Sequence, residues 1–146
     1  MLNINLDKIT DLDFKTREAY KTLRTNVQFC GNDVKIISLT SCVPNEGKSM
    51  VSFNLAISMA ETGKKVLFID ADLRKSVLIG RYKINKAIKG LTQYLSGVEQ
   101  LDDVRYSTNV KNMDLILSGP VPPNPAELLN NEKFTKLLET ARKEYD

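Results

Sequence analysis

The sequence predicts an α/β fold in which helices cover both faces of a parallel sheet. Three observations predict it. Two short β-branched runs, Lys35–Thr40 (KIISLT) and Lys65–Ile69 (KVLFI), have the composition of strands buried on both faces. Between them, Lys48–Thr62 is long enough for a helix and stops at Gly63, well placed as a C-terminal cap. Strand, helix and strand within about 35 residues make a βαβ unit.

The remaining elements follow in chain order. Thr16–Phe29 sets Tyr20, Leu23 and Val27 on one helical face, with Arg17, Glu18, Lys21, Arg24 and Gln28 elsewhere, and Gly31 and Asn32 can close the helix. Met113–Leu117 is a third strand candidate. After the loop GPVPPNP (Gly119–Pro125), Asn124 is a capping residue, Pro125 suits the first helical position and Glu127 follows. Phe134, Leu137, Leu138, Ala141 and Tyr145 then form the stripe of a final core-facing helix. The expected organisation is one structural domain: a segment 1–33 carrying the amphipathic helix, and an α/β unit 34–146.

Composition narrows the chemistry. The 146 residues are 42% hydrophobic and 27% charged, enough for one core. There is no histidine, which excludes imidazole triads, Cys-His nucleophile pairs and His-containing metal sites. Cys30 and Cys42 make neither a CxxC motif nor a disulfide framework. No apolar run approaches the roughly 20 residues that span a bilayer, and acids stand in MLNINLDKITDLD where a secretion signal has bases. The expectation is a soluble, cytosolic chain.

Charge is uneven. Arg74, Lys75, Arg81, Lys83, Lys86 and Lys89 fall in a stretch without acids, leaving 15 bases against 18 acids elsewhere. Such a run is either a solvated face or a surface toward phosphate, an acidic partner or an anionic membrane. With no interleaved aromatic ladder, nucleic acid is not the expected partner.

The chemistry concentrates where the first strand meets its helix. Thr40–Ser49 (TSCVPNEGKS) ends in the G-K-[ST] of a P-loop, in the required strand–loop–helix context. Backbone N–H groups of such a loop and the positive end of the helix surround phosphate oxygens. Gly47 permits close backbone approach, Lys48 bridges the outer phosphates and the Ser49 hydroxyl coordinates Mg²⁺. The usual first glycine is Cys42 here. The second strand runs into Asp70 and Asp72, on one face at its carboxyl end, where ligands of open α/β sheets bind. A cation between them is one reason to keep both, and a cap on the next segment is the other.

These residues resemble the bacterial tyrosine kinases (BY-kinases) of capsule and exopolysaccharide synthesis, P-loop ATPases related to MinD and ParA. CVPNEGKSM with NLAISMAETGKKVLFIDADLRKS is similar to their Walker A and A′ region. EAYKTLRTN is similar to their N-terminal Glu-x-x-Arg-x-x-Arg helix, GLTQYLSG to their short glycine-leucine helix, and LSGPVPPNPAELL to their proline loop. Lys21 replaces the first Arg of that helix motif, and Met50 stands where Thr is usual. Val43 occupies the place of the signature lysine of MinD and ParA relatives, which argues against a ParA/MinD-type ATPase.

The resemblance implies a P-loop NTPase-like three-layer fold, incomplete at its C-terminus. It implies ATP/ADP and Mg²⁺ as cofactors. Pro44, Asn45, Glu46, Gly47, Lys48, Ser49 and Met50 would surround the nucleotide; Ser49, Asp70 and Asp72 would hold the metal; Lys48, Asp70 and Asp72 would serve catalysis. Glu18, Lys21 and Arg24 would mediate self-association in a ring, and a membrane-anchored polysaccharide chain-length regulator would recruit the protein to the inner face of the cell membrane. The implied activity is ATP-dependent, autophosphorylating protein-tyrosine kinase; the alternative is a non-catalytic nucleotide-binding or interaction fragment. Beyond Tyr145-Asp146 the family continues into an apolar strand with the Walker B aspartate and, later, a tyrosine cluster. That strand lies beside the P-loop strand, so these 146 residues predict a first strand with an unpaired side and weakened phosphoryl transfer.

Overall fold

The computed structural model describes residues 2–7, 9, 11–84 and 87–146. A four-stranded sheet, ordered β1-β3-β4-β2, divides two layers of helices. β1 (Leu2–Ile4) runs parallel to β3 (Arg105–Thr108), and β2 (Val66–Ile69) runs parallel to β4 (Met113–Ile116). β3 and β4 are antiparallel, paired Arg105 to Ile116 and Tyr106 to Leu115, so the sheet is mostly rather than wholly parallel. A short turn joins them, with Asn112 at φ 64°.

On one face lie α1 (Phe14–Gln28) and α2 (Lys48–Ala60). Asp13 caps α1 by accepting the Thr16 N–H at 2.8 Å. The expected stripe of α1, Tyr20, Leu23 and Val27, is half-buried, and no residue of this helix is fully buried. α2 is the core helix. Its Phe53, 0% exposed, stacks on Tyr82 at 4.4 Å and meets the edge of Phe68 of β2 at 5.2 Å. Gly63, at φ 89°, follows the last turn and donates to Ala60 O, as its sequence position predicts. α3 (Leu78–Arg81) adds Leu78 and Tyr82 to this cluster.

The opposite face carries α4 (Leu91–Leu95), α5 (Leu101–Val104), α6 (Pro125–Leu129) and α7 (Glu132–Glu144) around Leu73, Leu91, Leu95, Val104, Ile116, Leu128 and Leu137. β4 serves both layers by alternation, with Met113 and Leu115 on the α2 side and Ile116 on the other. The helix that starts at Pro125 is short, and a second cap at Asn131, accepting the Phe134 N–H at 3.0 Å, starts α7. Asn124 makes no side-chain cap bond; its amide donates to Glu127 Oε2 at 3.1 Å instead.

One expectation is overturned. Lys35–Thr40 forms no strand: it makes no ladder, and Ile36 and Ile37 remain 38% and 40% exposed. The physical reason is that, among the described residues, no neighbouring strand offers it a hydrogen-bonding edge. A cavity of about 1210 Å³ borders both this segment and β2. For the same reason all four residues of β2 are only half-buried.

The turn into α4 packs backbone on backbone. Leu91 and Thr92 N–H donate to Leu117 O and Ser118 O at 2.7 and 2.9 Å, and Gln93 Oε1 accepts the Gly90 N–H at 2.6 Å. A Cβ on Gly90 would lie 2.3 Å from Gly119 N and 2.5 Å from Leu117 O. Gly90→Ala is therefore expected to lower stability by about 1–3 kcal/mol, because only backbone could move aside. Gly80→Ala, with no atom within 4 Å of the new methyl in α3, should be neutral or gain up to about 1 kcal/mol. Paired urea titrations check both.

Candidate functional site

The loop between Lys35–Thr40 and α2 is shaped by two left-handed residues, Asn45 at φ 65° and Gly47 at φ 86°. Gly47 is the N-cap of α2 and offers no side-chain acceptor, so the first N–H groups of this 13-residue helix have no side-chain cap. The helix ladder begins with Val51 N–H donating to Gly47 O at 2.9 Å. An uncapped helix start behind a glycine turn is suited to an anion. Glu46 bends back into its own loop: its carboxylate accepts the N–H groups of Cys42 and Val43 at 3.0 and 3.3 Å. Pro44, Asn45, Glu46 and Met50 are exposed, while Gly47, Lys48 and Ser49 are half-buried.

Lys48 and Asp72, 24 residues apart, meet directly, Nζ to Oδ2 at 3.0 Å. α2 and β2 position this pair, because the Phe53–Phe68 contact locks the helix onto the strand. The two aspartates are not equivalent. Asp70 is 7% exposed, and its carboxylate takes the Ser76 hydroxyl and the Asp72 N–H. Burial pushes the Asp70 carboxyl above its ordinary range, against the pull of the Ser76 bond. Asp72 is half-exposed. Partial burial raises its carboxyl, but hydrogen bonds from Lys48 and from the Lys75 backbone outweigh that and hold it below the usual range. Asp72 thus both caps the following turn and carries a cation, the ammonium of Lys48.

Lys48, Ser49, Asp70 and Asp72 all border the large cavity, at its phosphate-loop end. The side-chain oxygens of Ser49, Asp70 and Asp72 are hard donors of the kind Mg²⁺ takes together with water, and these three residues would hold one. The structure brings together four of the residues read from sequence. Pro44, Asn45, Glu46 and Met50 are exposed and do not border that cavity. The sequence does not point to Ser76. No spacing rule marks a serine six residues past an aspartate, and only the intervening turn brings them together.

Glu18, Lys21 and Arg24 divide. Glu18 and Lys21 pair on the surface at 2.7 Å. Arg24 turns inward, its guanidinium donating to Ser58 O at 2.7 Å and Ser58 Oγ at 3.1 Å on α2. Of the basic run, Arg74 borders the cavity and Lys89 pairs with Glu99 at 2.9 Å; Lys86 lies outside the described residues. Among the described residues no helix is long and apolar enough to cross a membrane.

Comparison with known proteins agrees with this geometry. The family model described as an AAA domain matches residues 34–146. The tyrosine-protein kinase CpsD of Streptococcus agalactiae is 47% identical over 132 residues, covering 90% of this chain and 58% of that protein. The solved kinase domain of Escherichia coli tyrosine kinase ETK superimposes with a TM-score of 0.87 at 35% identity, over 100% of this chain and 58% of that one. More distant is the septum site-determining protein MinD of Pyrococcus horikoshii OT3, solved with Mg-ADP: TM-score 0.64, 28% identity, 77% of this chain and 46% of that one. The chain therefore spans somewhat over half the length of its tyrosine-kinase relatives.

Arg24→Ala should cost about 1.5–3 kcal/mol, since it removes charge-assisted hydrogen bonds to a buried serine. Lys21→Ala should cost less than about 1 kcal/mol, because its pair with Glu18 is exposed. Thermal denaturation of the two variants distinguishes the inward clasp from the surface pair.

Proposed function

This chain belongs to the BY-kinase family of bacterial tyrosine kinases, P-loop proteins of capsule synthesis, and on that premise we propose that it binds Mg·ATP at residues 44–50. The observation that carries the reading is the Lys48–Asp72 contact at 3.0 Å, with Ser49 and Asp70 bordering the same cavity. A cationic side chain, a helix start without a side-chain cap and two carboxylates converge where a metal-bound phosphate chain would lie. Lys48 would neutralise the outer phosphates. Ser49, Asp70 and Asp72 would hold Mg²⁺, which when bound supplies charge neutralisation for phosphoryl transfer. Pro44, Asn45, Glu46, Gly47 and Met50 would line the nucleotide. In the kinase reading, Asp70 and Asp72 would also organise the attacking tyrosine hydroxyl.

The wider role follows the relatives' names. We place the chain in ATP-dependent tyrosine phosphorylation, autophosphorylation included, that regulates capsular or exopolysaccharide synthesis. A membrane-anchored chain-length regulator would recruit it to the inner face of the cell membrane. Self-association would use the α1 face around Glu18 and Lys21, with Arg24 leaving Ser58 if it joins that contact. A second reading, a nucleotide-binding module without kinase activity, is favoured by one feature. The segment that leads into the loop, Lys35–Thr40, has no ladder to fix it, and phosphoryl transfer depends on positioning.

Calorimetric titration of Mg·ADP should give saturable binding that Lys48→Ala weakens at least about tenfold, or about 1.4 kcal/mol, with circular dichroism showing both proteins folded. Equal binding by both would remove Lys48 from the site. Incubation with Mg·ATP separates the two readings: phosphotyrosine on the chain, absent from Lys48→Met, marks a kinase. Binding without phosphotyrosine, even with the activating partner present, marks the module.

A further inference from the structure

The turn that follows β2 closes on its own carboxylates. Asp70 Oδ1 accepts the Asp72 N–H at 3.2 Å, and Asp70 Oδ2 accepts the Ser76 hydroxyl. Asp72 Oδ1 accepts the Lys75 N–H at 3.0 Å, and Asp72 Oδ2 meets Lys48 Nζ at 3.0 Å. Every oxygen of the two aspartates thus has a donor, but the donors differ in kind. Asp72 holds an ammonium on a long side chain, which an anion can draw away. Asp70 pairs with no cation among the described residues, and its two donors belong to the turn itself.

The position of Ser76 is set by packing. Leu73 is buried with Leu91, Leu95 and Ile116 in one helix layer, and Leu78 is buried with Phe53 and Tyr82 in the other. Ser76 lies along the chain between these two anchors and is half-buried, so close-packed neighbours leave its backbone little freedom. Asp70 and Asp72 border the cavity, whereas Ser76 does not. Its hydroxyl therefore supports Asp70 and is not part of the cavity wall. The last torsion of an aspartate is broad and roughly two-fold, so a single hydrogen bond leaves the carboxylate free to turn. Without Ser76, the 3.2 Å bond from the Asp72 N–H is what remains on Asp70 among the described residues. With both donors, its two oxygens are distinguished and fixed.

We propose that Ser76 is a positioning residue: its hydroxyl fixes the Asp70 carboxylate in the orientation used when Mg²⁺ binds with the nucleotide. The proposal rests on the Mg·ATP reading above and adds to it a residue that touches neither phosphate nor metal. Asp70 is the preset ligand of the pair, ready without rearrangement. Asp72 is the adjustable one, since it releases or shares Lys48 when phosphate arrives. Groups that hydrogen-bond a metal ligand typically change metal affinity by about 10–100-fold, because they fix the ligand's orientation in advance. Asp70 is buried, so bulk water is a poor substitute for a lost donor. Ser76 thus acts on the metal-dependent part of binding and leaves the contacts of Lys48 and the loop with phosphate unchanged.

The test is calorimetric titration of ADP into the full chain, with Mg²⁺ and without it, which gives the factor by which the metal tightens binding. Ser76→Ala should lower that factor about tenfold and leave the affinity for metal-free ADP within about twofold of the parent. Ser76→Thr keeps a hydroxyl and should restore most of the factor. An unchanged factor in Ser76→Ala overturns the proposal, even where its melting temperature falls, because the hydroxyl then serves folding alone. Equal weakening with and without Mg²⁺ also overturns it, since that is a general loosening of the site. So does a Ser76→Thr variant as weak as Ser76→Ala. A parent chain that takes up no Mg·ADP overturns the nucleotide reading and this proposal together. A parent that binds beside an indifferent Ser76→Ala removes the role of Ser76 only.

Discussion

A strand inside an α/β sandwich has to satisfy its peptide groups, and among the described residues β2 forms its ladder with β4. Much of the molecule is arranged around that fact. β4 is the central strand, taking β2 on one side and the β3 hairpin on the other, and β1 closes the far edge. The helices of both layers are therefore best packed over β4 and loosest over β2. Leu115 and Ile116 are at most 1% exposed, whereas Val66–Ile69 are all half-buried. The carboxylates of the site stand at the end of this least supported strand.

What keeps that site ordered is the helix layer. Phe53 is enclosed by Phe68 and Tyr82, which fixes α2 against β2 and so sets the approach of Lys48 to Asp72. Ser76 holds the Asp70 carboxylate, closing the turn after the strand. Arg24 ties α1 to the same helix through Ser58. The phosphate loop is braced from within. Its own Glu46 supplies the bonds that its backbone makes at Cys42 and Val43.

Features decided locally were legible in the sequence. Gly63 follows the last turn of its helix, the stripe of α7 faces inward, and Val66–Ile69 forms the strand that runs into Asp70 and Asp72. Features decided by distant partners were not. β1 is three residues long and exists because Tyr106, Ser107 and Thr108 pair with it; β3 itself, Arg-Tyr-Ser-Thr, has no apolar alternation to announce it. Lys35–Thr40 shows the converse. Its composition suits a buried strand, but composition carries no information about whether a neighbour is present. Arg24 sits in the expected row by spacing, yet its long side chain chose the Ser58 carbonyl on the neighbouring helix.

The Lys48–Asp72 bridge also bears on the thermodynamics of whatever anion arrives. A free lysine side chain gives up about 2 kcal/mol of rotamer entropy when it is immobilised. Here the ammonium is already held within hydrogen-bonding distance of a carboxylate, so that loss belongs to folding and not to association. The incoming anion exchanges one partner of Lys48 for another, or shares it. The site is neutral in this pair before anything binds. Long-range attraction of an anion then falls to other cations bordering the cavity, such as Arg74, while Lys48 acts at contact range.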